Sequence, residues 1–336
     1  MADEQEARAH PFSRLTPDLV LQSMEELGFR TDGRLLALNS YENRVYQVGI
    51  DDEQPLIVKF YRPGRWSREQ IQEEHDFVYE LEEQELPVVA PLRHEGQSLL
   101  ESSGFMLAAF ARRGGRAPEL DNPDNLYSLG QALGRMHRVG QAQSFKYRPG
   151  LTVQSYGVES CDFVARNFIP ASLADSYRSL CDHLLEIIAE RFEQADQVQF
   201  IRCHADCHIG NILWRDDSPN FVDFDDARSA PAIQDLWMLL SGYPDEQSRQ
   251  MQEILEGYEM FQPFNLAELR LVEPLRTLRM MHHCAWLARR WDDPAFPRHF
   301  SWFNTERYWG EHILELREQL GLLQDRETSA GPRVFR

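Results

Sequence analysis

Lysine is almost missing from this chain: of its 35 basic residues only Lys59 and Lys146 are lysine, and the rest are arginine. A lysine kept inside an apolar strand is therefore more informative here than in an average protein. Base is also short overall, 35 residues against 54 acids for a formal charge of −19. Counterion release on a phosphate backbone would then need a strong local basic patch, so nucleic acid is not an expected partner. No apolar run approaches the roughly 18 residues that suggest a membrane span. The opening MADEQEARAHPF is acidic where a secretory leader is basic and then greasy. No membrane partner and a cytoplasmic location follow as expectations. The five cysteines (Cys161, Cys181, Cys203, Cys207 and Cys284) are odd in number and irregularly spaced in a chain too large to need stapling, which predicts reduced thiols. Repeats and low-complexity tracts are lacking too, and a monomer is the default expectation.

What is present divides in two. Leu15-Thr16-Pro17-Asp18 opens a helix with a cap hydroxyl, a proline at the first helical position and an acid at the positive end of the dipole, and Gly28 closes it. LLALNSYENRVYQVGI and PLIVKFYRP are rich in Val, Ile, Tyr and Phe and are separated by Asp51-Asp52-Glu53, which predicts adjacent antiparallel strands. A helix is predicted from Ser67 to about Glu83, with Ile71, Phe77, Val78 and Leu81 on its apolar face; LPVVAPL and GFMLAAFARRGG then return to strand character. The paired glycines of Arg112-Arg113-Gly114-Gly115-Arg116 break this pattern, and nearly everything beyond them is helical. The fold class expected is α+β in two lobes: residues 1–111 form a small antiparallel-sheet lobe with one internal helix, residues 112–323 a larger, mostly helical lobe, and 324–336 a loose tail. LAELRLVEPLRTLRMMHHCAWLARRW is predicted as one long helix bending at Pro274.

The exception within the helical half is the stretch Val198 to Ala227. His204-Ala205-Asp206-Cys207-His208-Ile209-Gly210-Asn211 leads into Ile212-Leu213-Trp214, a turn at Asp216-Asp217-Ser218-Pro219-Asn220, and Phe221-Val222-Asp223-Phe224-Asp225. Two short apolar strands bracketing a tight turn would bring Asp206, Asn211 and Asp223 together. Phosphoryl transfer asks little covalent help of a protein, but it needs metal ions to neutralise the phosphates and a carboxylate to orient the attacking hydroxyl. Magnesium prefers oxygen ligands such as Asn211 and Asp223, leaving Asp206 to receive the hydroxyl proton. By composition a His-x-Asp-x4-Asn string arises in roughly one chain of this length in a hundred, and the following Asp-Phe-Asp makes coincidence rarer. Zinc on Cys203, His204, Cys207 and His208 is disfavoured, since four ligands within six residues do not easily surround a tetrahedral ion.

HxDxxxxN followed by an apolar strand and DxD resembles the aminoglycoside phosphotransferase and choline kinase group of the protein-kinase-like fold. NSYENRVYQV, VKFYRP, QDLWMLL and WDDPAFP extend the resemblance from about Leu15 to Trp309. It implies a two-lobed kinase with ATP as co-substrate, Mg2+ as cofactor, and a serine/threonine hydroxyl of a protein as acceptor. The alternative is a small-molecule alcohol kinase of the choline, homoserine, sugar or aminoglycoside type. Asp206 takes the place of the catalytic base; Asn211 and Asp223 take the places of metal ligands, Asp223 serving catalysis as well. Lys59 stands where a strand lysine reaches the α- and β-phosphates, although it could instead snorkel from an edge strand. Glu74 matches the ion-pair partner of that lysine, with Glu73 an open alternative. A glycine-rich phosphate loop is replaced by Asn39-Ser40-Tyr41-Glu42-Asn43-Arg44, whose amides and Ser40 hydroxyl would cradle phosphate. Asp225 either touches a second magnesium or holds the loop. Asp235 matches an acid that braces the catalytic loop through backbone amides.

Overall fold

The computed structural model describes residues 10–195 and 197–328. The chain forms two compact units, the first taking in residues up to Pro118 together with Phe145–Arg148 and Ile209–Ala227, the second the remainder.

The first unit is built on a five-stranded antiparallel sheet of β1 (Thr31–Ala37), β2 (Arg44–Ile50), β3 (Leu56–Phe60), β4 (Leu100–Ser102) and β5 (Phe105–Ala111), in the order β1-β2-β3-β5-β4. Helix α1 (Pro17–Glu26) begins as its sequence dictates: Thr16 accepts the Leu19 amide at 3.2 Å, Pro17 holds the first position, and Gly28 takes φ +87° just past the end. Val20 and Met24 of α1 join Val48, Ile50, Val58, Phe60, Phe105 and Leu107 in one apolar core. Strand alternation then sends Lys59, between Val58 and Phe60, to the opposite face of the sheet, on the side of Tyr61. Tyr61 packs there with Ile71 of helix α2 (Arg68–Glu83), Leu99 and Ala108. A reciprocal cap starts α2: the Gln70 amide donates to the Ser67 hydroxyl at 3.3 Å and the Ser67 amide to the Gln70 side chain at 2.9 Å.

LPVVAPL does not form the expected strand. It makes isolated bridges, Val88 to Phe221 and Pro91 to Phe110, because two prolines remove ladder donors from a seven-residue run. Residues 212–221 do form the expected hairpin: Leu213 and Asn220 exchange both backbone bonds at 2.8 and 2.9 Å, and the turn sets Asp216 and Asp217 at φ +52° and +55°.

The second unit is helical: α3 (Pro123–Ala142), α4 (Glu159–Asn167), α5 (Ala174–Gln194), α6 (Ile233–Trp237), α7 (Pro244–Tyr258), α8 (Val272–Arg289), α9 (Ala295–His299) and α10 (Glu306–Thr328), with a two-stranded ribbon of β6 (Ile201–Cys203) and β7 (Arg228–Ala230). Helices α3 and α7 approach through glycine: a Cβ on Gly130 would lie 2.0 Å from the Ile254 carbonyl oxygen, and one on Gly257 2.1 Å from that of Tyr127. Only a missing side chain permits that approach.

The long helix predicted around Pro274 is instead a 3-10 turn (Leu266–Leu271) followed by α8. Pro274 falls in the first turn of α8, where an amide has no intrahelical acceptor to lose, so it starts a helix and does not bend one. The predicted tail is helical as far as Thr328; the rest of it, 329–336, lies outside the described residues, as does most of MADEQEARAHPF. All five cysteines are free and buried. Among the described residues no helix is long and apolar enough to cross a membrane. A sheet-bearing unit and a helical unit make the α+β class expected.

Candidate active site

In the first unit, Lys59 lies on a strand paired on both sides, opposite Val45 and Ala108, and is 5% exposed. It is therefore not a snorkelling edge residue. Its ammonium is 3.6 Å from Glu74, 3.2 Å from Asp223 and 3.7 Å from Asp225. Burial disfavours this charge, but Glu74 foremost, with Asp223 and Asp225, more than offsets it and holds the ammonium's pKa well above its usual value. A lysine so placed stays charged at any physiological pH.

The choice between the two adjacent glutamates is resolved by helix phase. Glu74 is buried on the same face of α2 as Ile71, Val78 and Leu81. Glu73 turns outward and accepts three successive amides, of Lys146, Tyr147 and Arg148, at 2.6, 2.8 and 2.8 Å. Burial raises the Glu74 carboxyl pKa, against the pull of Lys59 and Arg148.

Asp223 closes the hairpin. The amide of Val222 donates to the Asn211 carbonyl at 3.0 Å, so Asn211 and Asp223 sit on facing arms of one turn. Asp223 takes φ +61° and ψ +64°, a left-handed conformation that aspartate tolerates better than most residues, and then enters the 3-10 turn Phe224–Asp226. The buried Phe224 ring meets Phe77 of α2 edge-on at 6.2 Å, tying that turn to the helix bearing Glu74.

Asp225 is held as well as charged. Arg65 pairs with it and with Asp226 (2.7 Å), and Arg148 donates to the carbonyl of Asp225 while lying 3.6 Å from Glu74. Burial would raise the Asp225 pKa, yet Arg65 and then Lys59 draw it below the ordinary carboxylate value. One oxygen, Oδ1, is buried without a hydrogen-bond partner among the described residues.

The turn expected to cradle phosphate lies between β1 and β2 and is clasped from the end of β3. The Arg62 amide donates to the Asn43 side chain at 3.0 Å, and its guanidinium to the Glu42 carbonyl at 2.9 Å. The Ser40 hydroxyl donates to the Asn43 carbonyl at 3.3 Å.

Asp206 belongs to the second unit, where Asp235 of α6 holds the root of its loop. The His204 and Ala205 amides donate to the two oxygens of Asp235 at 2.9 and 2.7 Å, and His137 bonds Asp235 at 3.0 Å and the Tyr258 hydroxyl at 3.0 Å. Ala205, at φ +66°, makes the left-handed step by which two successive amides point at one carboxylate. The Asp206 amide donates to His204 Nδ1 at 3.3 Å, and Cys207 is fully buried. Asp206 itself is 2.7 Å from Arg279 and 3.6 Å from His208.

Sequence reading missed Arg65, Arg148 and Arg279. Each is one arginine among dozens, and their partners lie far off along the chain, so composition carried no signal for them.

The sequence model of the phosphotransferase enzyme family matches residues 34–272. Stress response kinase A of Escherichia coli K12 is 45% identical over 325 residues, covering 96% of this chain and 98% of the relative. The serine/threonine protein kinase RdoA of Salmonella typhimurium is 44% identical over the same shares. Among solved structures, amicoumacin kinase hAmiN in complex with AMP-PNP, Ca2+ and Ami shares 21% identity at a TM-score of 0.67, covering 94% of this chain and 96% of that one. The microcompartment-associated aminopropanol kinase shares 17% at 0.69, covering 94% and 99%; both show the fold alone. With a buried strand lysine paired to a helix glutamate and a family match across more than two thirds of its length, the chain belongs to the phosphotransferase enzyme family.

Proposed function

We propose that this phosphotransferase moves the γ-phosphoryl group of ATP to a serine or threonine hydroxyl of a protein. The observation that carries the reading is the buried ammonium of Lys59 between Glu74, Asp223 and Asp225. The three carboxylates keep this buried cation charged and fixed in place, and in a member of this family the α- and β-phosphates of ATP are the anions it would meet. The acceptor class rests on likeness to relatives named as a stress response kinase and a serine/threonine protein kinase.

In this reading Asp206 orients the acceptor hydroxyl and takes its proton as the oxygen bonds to the γ-phosphorus and the bond to the β-phosphate oxygen breaks. Ser40 and the amides of its turn hold the phosphates. Asn211 and Asp223 are the residues that would hold Mg2+, which when bound neutralises charge on the phosphates. The donor set suits a hard cation: the ligating atoms are oxygens, the Asp223 side chain is about half exposed, and Asp225 Oδ1, 3.7 Å from the Lys59 ammonium, has no hydrogen-bond partner among the described residues. The five buried free thiols fit a reducing, cytoplasmic setting.

The test is Asp206→Ala assayed with labelled ATP against a panel of protein and small-alcohol acceptors. ATP binding should persist while transfer falls roughly a thousandfold or more. Near-normal turnover would remove Asp206 from the reaction, and transfer only to choline-like or sugar acceptors would overturn the protein acceptor.

A further inference from the structure

Helix α8 carries Arg276, Arg279, His283 and Trp286 at spacings of three and four, and Arg290 follows at its C-cap, so the helical four form one stripe along a single helix face. None is fully buried. They differ in how they are held. Arg276 is fixed, with both Glu273 oxygens at 3.0 Å, Gln247 at 3.1 Å and its guanidinium 5.5 Å from the Trp237 ring. His283 stacks on Trp286 at 5.6 Å, and Arg290 donates to the Trp286 carbonyl at 3.2 Å. Arg279 has a single ion-pair partner among the described residues, Asp206, at 2.7 Å, and its side chain is 37% exposed.

That pairing poses a problem for catalysis. The oxygen facing Arg279 belongs to the carboxylate that must receive a hydroxyl proton, so an acceptor has to share Asp206 with the guanidinium or draw the guanidinium away. The Arg279 side chain is 37% and the Asp206 side chain 24% exposed, so a competing anion can reach the guanidinium from solvent. A carboxylate or phosphate beside the acceptor hydroxyl would give Arg279 a two-pronged replacement partner. A cationic acceptor would instead place like charge against Arg279. The chain's overall negative charge does not reverse this, since salt screens distant charges over about 8–10 Å.

We propose that Arg279 selects acceptors whose hydroxyl is flanked by an anionic group, releasing Asp206 as it takes hold of that group. The inference rests on the reading of Asp206 as the base. Within a protein acceptor it means serine or threonine in an acidic segment.

The test uses the full chain with Mg2+ and ATP and two matched serine peptides, one flanked by glutamate and one by arginine. The unmodified chain should favour the acidic peptide by about tenfold or more in kcat/KM. Arg279→Glu should reverse that order through the acceptor KM while the KM for ATP moves little, and Arg279→Lys should keep part of the preference. Equal use of both peptides, preference for the basic one, or an Arg279→Glu effect confined to the KM for ATP would each overturn the proposal. A parallel pair of small alcohols, glycerate and choline, separates this claim from the protein acceptor. Transfer to glycerate over choline with neither peptide labelled would sink the protein reading and uphold the charge rule; choline over glycerate would sink the charge rule.

Discussion

The loop carrying Asp223 and the loop carrying Asp206 are both anchored by buried carboxylates, yet different forces hold them. Around Asp223 the anchors are ion pairs between side chains: Asp225 to Arg65, Glu74 to Lys59, and Arg148 beside both. Around Asp206 the anchor is one carboxylate, Asp235, filled by two backbone amides and a histidine. Side-chain pairs can exchange partners when a charged ligand arrives, whereas amides bonded to a buried acceptor cannot move without unfolding the turn. On the proposed function, the first loop suits a region where phosphate and metal charge come and go. The second holds Asp206, the proposed base, in one fixed place.

Asp235→Ala should break this contrast most severely. It strips the acceptor from three buried donors at once, for an expected loss of about 3–5 kcal/mol. Urea denaturation followed by tryptophan fluorescence would measure it. A loss below about 1 kcal/mol would mean that water substitutes for the carboxylate and that the loop is not rigidly braced.

Exchangeable ion pairs make the opposite prediction, namely that removing one partner costs more than removing two. Lys59→Met leaves Glu74 and Asp225 buried with less opposing charge and should destabilise the chain by about 2–4 kcal/mol. Adding Glu74→Gln should recover about 1–3 kcal/mol of that loss. Additive effects in the double-mutant cycle would show that the two groups do not depend on each other. Activity is not the readout here, because Lys59 belongs to the proposed nucleotide site.

Much of this contrast could be read in the sequence, and what could not was hidden for identifiable reasons. Thr16-Pro17 and Ser67 with Gln70 announced their helices because capping is local chemistry. HADCHIGN and VDFDDAR carried the candidate site residues because their functional groups crowd into a few positions. Glu74 was legible on closer reading: it lies three residues after Ile71 and four before Val78, on the apolar stripe, and Glu73 lies off it. Arg65 and Arg148 were not legible, since they act on Asp225, respectively 160 and 77 residues away along the chain, and no local pattern encodes such a meeting. Pro274 misled because a proline in a helical stretch reads equally as a bend or a beginning; the 3-10 turn ahead of it decided the matter.

The smallest expected effect concerns the left-handed residue in each loop, Ala205 and Asp223. Asp223 cannot be exchanged without removing a proposed ligand, so Ala205 is the clean probe. Three terms compete in Ala205→Gly. Relief of the left-handed strain favours the variant by about 1–2 kcal/mol. Loss of a buried methyl opposes it by about 0.8 kcal/mol, and the freer unfolded chain by about 0.5–1 kcal/mol. The sum is near zero, within about 1 kcal/mol either way, and thermal denaturation should show almost no change. A marked loss of stability would mean that the methyl packs more tightly than its volume suggests. A marked gain would mean that the Asp235 brace holds Ala205 under strain, so that the rigid loop, and not the ion-paired one, is where this chain stores conformational energy.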